Sequence, residues 1–255
     1  MQRSKGKSGL AFILGLILIA GLLQTAGYIK GDALVFPGVA DILKAFLRLL
    51  ATGRTYLLIF TTLKHLILSM TAALVIGVVV GIAQGMSDFV RVLFKPFTIM
   101  LRSLPMIVLI VIIMVLTKYE WVPVIATTLV LIPIISEAVC EGCRRNDREL
   151  IDVYRMNSSF NLHVLFAVYL PLMSGYLKQA CINAVGMGIK LAVSTEYLVQ
   201  TRNSLGKAVH SSSYFNEYQD IYAYAMIMIL LVLLVSEFPM WIGQKIRRMQ
   251  ESDLS

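Results

Sequence analysis

The chain has 255 residues, of which 58% are hydrophobic and only 15% charged, and its mean hydropathy is positive. A water-soluble domain cannot cover itself with so few polar side chains, so the composition excludes an ordinary soluble fold and leaves lipid as the solvent. The formal charge of +8 does not imply nucleic acid, because the basic residues sit at the ends of apolar runs and form no stripe with interleaved aromatics.

A membrane helix needs roughly 20 mostly apolar residues. Runs of that kind occupy Leu10 to Ile29, about Tyr56 to Met86, about Pro96 to Thr117, Trp121 to about Cys140, Val164 to Leu198, and Ile221 to Gly243. They predict an all-α, polytopic membrane bundle of about six transmembrane helices. The first run follows Arg3, Lys5 and Lys7 and has the outline of a secretory leader. It is longer than a leader's apolar core and lacks a small-residue cleavage site, so it is expected to stay as a helix.

Phe36-Pro37-Gly38 then precedes Val39, Ile42, Leu43, Phe46, Leu47 and Leu50, apolar positions three or four apart with Asp41, Lys44 and Arg48 between them. This spacing predicts an amphipathic surface helix opened by a proline turn. It is either a lid on the outer rim or a membrane-sensing helix, and the lid is the simpler reading. The second run carries Lys64 and His65 early, leaving Leu66 to Met86 as its uninterrupted core, and the fifth is interrupted by Lys178 and Lys190.

Placing both termini in the cytoplasm puts Arg91, Lys95, Arg102, Arg144, Arg145, Arg148 and Arg155 on the inner side with the basic residues of the two ends. That agrees with the positive-inside bias. The chain divides into a first helix with the outer amphipathic segment (1–55), a core membrane domain (56–245) with a cytoplasmic loop near 144–163, and a cytoplasmic tail (246–255).

Cys140, Cys143 and Cys181 form no extracellular disulfide framework. Cys140-Glu141-Gly142-Cys143 has zinc-like spacing, but no second Cys or His pair supplies four ligands, and His65, His163 and His210 are scattered. No metal site is expected. No G-x4-G-K-[ST] loop, G-x-S-x-G elbow or H-E-x-x-H helix occurs, so neither ATP hydrolysis nor hydrolase chemistry belongs to this chain.

The most polar stretch between two runs is Cys143 to Pro171. It contains Asp147, Glu149 and Asp152, then Val153-Tyr154-Arg155-Met156-Asn157-Ser158-Ser159. A short cytoplasmic helix and a turn fit this pattern, and Pro171, with no N–H and a fixed φ, suits the start of the next helix.

Here the chain resembles the permeases of type I ATP-binding-cassette importers, whose cytoplasmic loop reads E-A-A-x3-G-x9-I-x-L-P. Asp152, Val153 and Tyr154 stand at E-A-A, Ser158 at the glycine, and Val168, Leu170 and Pro171 at I-x-L-P. Lys95-Pro96 and Leu101-Arg102-Ser103-Leu104-Pro105 resemble the stretch that opens an earlier span in the nitrate, sulfonate, taurine and bicarbonate group. Gly188-Ile189-Lys190-Leu191-Ala192-Val193-Ser194-Thr195-Glu196 and Ser204-Leu205-Gly206 resemble two later motifs of that group.

The resemblance implies a MetI-like permease fold in the bacterial inner membrane. It implies as partners a second permease copy, in a homodimer, two ATPase subunits that use ATP and Mg, and an extracytoplasmic solute-binding protein; the chain itself holds no cofactor. It further implies that the loop around Asp147 to Asn161 couples to the ATPase through Asp147, Glu149, Asp152, Val153, Tyr154, Arg155, Ser158 and Pro171. Asp152 can offset the unpaired N–H groups of a helix start as glutamate does, whereas Ser158 resists backbone conformations that glycine permits.

Ser103, Pro105, Met187, Lys190, Ser194 and Glu196 fall near the implied translocation path. For Lys190 and Glu196 two readings stand: a lining for an anionic solute, or a helix-holding carboxylate pair or snorkelling lysine. Gly186 and Gly188 are expected to serve close packing. A contrasting function is an ion-coupled secondary transporter using Lys190 and Glu196 together; an intramembrane enzyme or scaffold is a third.

Overall fold

In the computed structural model the described residues are 37–145 and 170–252, with the helical positions Gly21 and Thr25; side chains are described for 37–144 and 174–235 within those segments. The expected first span therefore lies, but for those two positions, outside the described residues. Among the described residues there are eight helices and no strand: α1 Val39–Ala51, α2 Gly53–Met86, α3 Asp88–Ser103, α4 Met106–Leu116, α5 Val122–Arg145, α6 Leu170–Val199, α7 Leu205–Tyr214 and α8 Tyr218–Ser252.

The amphipathic α1 forms as its spacing predicts. Ile42, Ala45 and Leu49 are buried, whereas Val39, Leu43 and Leu47 are exposed. It packs on α8, where Arg48 pairs with Asp220 and Ala45 and Leu49 join a core with Ala223 and Ile227. Thr52, in extended conformation, separates it from α2.

At 1.5 Å per residue, α2 is about 50 Å long, more than enough to cross a bilayer. Its contact with α5 organises the bundle. Gly77, Gly81 and Gly85, four residues apart, share one face of α2. A Cβ at Gly77 would stand 2.9 Å from Cβ of Ile135, one at Gly81 2.6 Å from the carbonyl oxygen of Ser136, and one at Gly85 2.5 Å from Cβ of Cys143. Dispersion and close backbone approach, rather than water exclusion, drive such contacts in lipid, so every methyl matters. Ala73, Leu131, Ile135, Val139 and Ala184 fill the space that this approach leaves between α2, α5 and α6.

The apolar run from Pro96 to Thr117 reads as one span, but it is two helices, α3 and α4, meeting at 105°. The cause is Pro105. Its ring disfavours helical geometry at the preceding residue, and Leu104 is extended at φ −66°, ψ 128°. The carbonyl of Pro105 then accepts from Val108 and Leu109 to open α4. α4 has only 11 residues, about half a bilayer. α3 exposes Phe89, Val92 and Leu93 and buries only Leu101, and its charged face is tied to α5 through Arg102–Glu137 and Asp88–Arg144 ion pairs.

Gly53–Met86, Val122–Arg144 and Tyr218–Val235 are long and apolar enough to cross, and the bent α3–α4 pair adds a fourth candidate. α6 has the length, 30 residues, but carries polar side chains along one face. α7 was not foreseen as a helix. It packs against α6, α8 and α2.

A polar face on α6 and its buried support

The two sides of α6 have opposite characters. Ala180, Ala184, Gly188, Ala192 and Thr195 are buried, and these small residues let α2 and α5 close on the helix. A Cβ at Gly188 would meet Cδ1 of Leu66 at 2.8 Å, so this glycine serves packing as expected; at Gly186 nothing lies within 4 Å, and the packing role does not extend to it.

On the other side Gln179, Asn183, Met187, Lys190, Ser194 and Leu198 are all exposed. Steps of three and four residues align them in one stripe. Gln179 donates to Asn183 within the stripe at 3.3 Å. Lys190 makes no ion pair among the described residues.

Glu196 lies elsewhere. At 100° per residue it is turned well away from Lys190, and it is fully buried. Glu196, expected near the translocation path beside Lys190, is thus enclosed on a different face of α6 from Lys190. Its Oε1 is 2.7 Å from Nδ1 of His65, and its Oε2 accepts from Oγ1 of Thr62 at 2.8 Å and from the backbone N–H of Gly206 at 3.2 Å. Three helices, α2, α6 and α7, thus meet on one carboxylate.

The local chain explains the arrangement. Gln200 adopts φ 56° and ends α6 as a left-handed cap, with the N–H of Thr201 reaching back to the carbonyl of Glu196 at 3.3 Å. The chain turns, and α7 begins beside the helix it has just left. A helix start exposes unpaired N–H groups, and here three of them find side-chain acceptors. Leu205 donates to Thr62 Oγ1 at 3.0 Å, Gly206 to Glu196, and Lys207 to Oγ of Ser204 at 3.2 Å.

Gly206 is obligatory by volume: a Cβ there would stand 2.5 Å from Cβ of Glu196, the nitrogen of Tyr197 and the carbonyl oxygen of Val193. Sequence reading singled out both Glu196 and Gly206 but missed Thr62 and His65, whose signal is two polar residues three apart on one face of a membrane helix. It also missed the glycine ladder of α2, visible as two overlapping G-x3-G repeats.

Ser103 and Pro105 are exposed at the bend between α3 and α4. Pro171 lies in the first turn of α6, where a missing N–H costs nothing. The other residues expected to couple to an ATPase, Asp147, Glu149, Asp152, Val153, Tyr154, Arg155 and Ser158, lie outside the described residues. No cluster of His, Cys, Asp and Glu among the described residues suits a metal ion.

The family model for the binding-protein-dependent transport system inner membrane component matches residues 73–248, more than half of the chain. The chain belongs to this family. It is a membrane permease component of an ATP-binding-cassette importer, non-catalytic, with a MetI-like fold. The match takes in the bend at Pro105, the α6 stripe, Glu196 and α7, but begins within α2 after Thr62 and His65. No curated protein matches the permease closely enough to be named as a relative.

Proposed function

We propose that the exposed face of α6 lines the path by which this permease conducts a small anionic solute, with Lys190 as the attracting charge. The observation that carries this reading is the stripe Gln179, Asn183, Lys190 and Ser194 on the outside of a bilayer-length helix. In lipid such side chains are expensive, and they persist where a partner or a water-filled cavity receives them. A second permease copy facing α6 supplies both: two stripes across a central axis make a polar passage from helices that are apolar on their other sides. Ser103 and Pro105, at the break between α3 and α4, extend the lining toward one end, and Met187 gives it a flexible apolar contact. Glu196 is left out of the lining because it is enclosed.

The solute belongs to the nitrate, sulfonate and taurine class by the motif resemblance, and a separate solute-binding protein selects it. Transport is driven by two ATPase subunits that consume ATP and Mg. The cytoplasmic segment with Asp147, Glu149, Asp152 and Ser158 seats in them and passes on a rigid-body displacement between two arrangements of the bundle. Both termini are cytoplasmic in this reading.

Vesicle uptake tests it. The permease is reconstituted with its ATPase and binding protein, and uptake of nitrate, taurine and a neutral solute is followed with ATP and no ion gradient. ATP-dependent anion uptake that falls in Lys190→Gln and vanishes in Lys190→Glu is the expected result. Uptake by the permease alone, driven by an ion gradient, refutes it.

A further inference from the structure

Where α1 ends and α2, α7 and α8 begin, the helices enclose a cavity of about 660 Å³. Three cations stand on its wall: Arg54 in the first turn of α2, Arg202 in the turn before α7, and Lys207 in the first turn of α7. None of them forms an ion pair among the described residues. The wall also holds two carboxylates, Glu217 and Asp220, but Asp220 is already paired with Arg48. The cavity is left with an excess of positive charge.

Its surroundings suit a membrane interface. Beside the apolar residues it buries, α1 leaves Val39, Leu43 and Leu47 exposed, and Tyr56 on α2, Tyr214 at the end of α7 and Phe215 just after it are exposed as well. Amphipathic helices and aromatic side chains take up this position at the headgroup level of a bilayer. Further along α2, Leu57, Phe60 and Ile67 are exposed and offer an apolar face for acyl chains. Leu49, Leu58 and Phe215 make part of the cavity wall itself apolar.

We propose that this cavity binds the headgroup of an anionic phospholipid, its phosphate held between Arg54, Arg202 and Lys207. Glu217 supplies an acceptor for headgroup hydroxyls, and the surplus of cations selects a net negative headgroup over a zwitterionic one. A free phosphate shares the oxyanion chemistry, but the apolar wall and the exposed aromatic rim favour a ligand with acyl chains. The site is separate from the α6 face, so the proposal does not depend on the transport reading.

The test uses the full chain purified in neutral detergent and titrated in parallel with phosphatidylglycerol, phosphatidylcholine of the same chains, or inorganic phosphate. Retained lipid is counted by native mass spectrometry and the thermal midpoint is followed. Phosphatidylglycerol is expected to be retained in preference and to raise the midpoint. Arg202→Gln and Lys207→Gln are expected to weaken retention roughly fivefold each, and the triple variant with Arg54→Gln to erase the preference. Lys44→Gln and Lys118→Gln, off the cavity wall, keep it. Equal retention of both lipids, a preference that survives in the single variants, or a midpoint raised as much by inorganic phosphate as by phosphatidylglycerol each overturns the assignment. The single variants, folded by the criterion of an unchanged midpoint in phosphatidylcholine, decide the matter even if the triple variant does not fold.

Discussion

Oε2 of Glu196 accepts the backbone N–H of Gly206 at 3.2 Å, so a side chain from the last turns of α6 caps the first turn of α7. The same carboxylate holds His65 and Thr62 of α2. One fully buried acid therefore fixes where the chain re-enters the bundle after its turn.

Removing that acid leaves several buried groups without partners. Glu196→Ala is expected to lower stability by about 3–5 kcal/mol, because Thr62, His65 and the N–H of Gly206 each lose a buried partner. Glu196→Gln keeps the shape and one acceptor oxygen and should cost less, about 1–3 kcal/mol. Thermal unfolding of the purified chain in detergent measures both, and an Ala variant as stable as the parent contradicts the arrangement.

Glycine to alanine substitutions should separate by position and not by helix propensity. In an open helical site the change gains up to about 1 kcal/mol, and Gly186, with nothing within 4 Å of an added Cβ, should behave that way. Gly81→Ala and Gly206→Ala should destabilise, because the new methyl meets backbone at 2.6 Å and 2.5 Å. Midpoints for the three variants give the order, and equal shifts would argue against close approach.

Transport and stability should respond to different residues of α6. Lys190→Gln is expected to slow anion uptake severalfold while leaving the thermal midpoint and expression unchanged, since its side chain is exposed and makes no ion pair among the described residues. Thr62→Val should do the reverse, lowering the midpoint by removing the acceptor of the Leu205 N–H at a cost of about 1–3 kcal/mol. Parallel uptake and unfolding assays separate the two.

Asp152→Ala and Ser158→Pro should weaken co-purification of the ATPase subunits, or let them hydrolyse ATP without uptake, while insertion in the membrane is normal. Assembly and transport at parental levels in the double variant refute the coupling role of that loop.

Hydropathy alone located most of this bundle, because a lipid solvent demands long apolar runs and punishes little else. The bounds of α2 follow from it within three residues, whereas α5 runs five residues past the expected end at Cys140 and α8 nine past Gly243. Hydropathy did not locate the break at Leu104–Pro105: α3 carries Arg91, Lys95 and Arg102 whereas α4 is wholly apolar, but a proline at a run's interior reads alike as a kink or as a helix start. Pro96 is accommodated inside α3, whereas Pro105 turns the chain by 105°.

Glu196 shows the same division more sharply. Its charge within an apolar run made it a functional candidate from sequence. Which face it occupied was a matter of 100° per residue, but what covered that face was not local: Thr62 and His65 lie more than 130 positions away. The sequence by itself determined a membrane bundle with a polar helix near its end, since helix length and transfer free energy are properties of each segment. Only the tertiary structure decided that Lys190 is turned outward while Glu196 is enclosed, because burial depends on which helices close over a face and how near their glycines let them come.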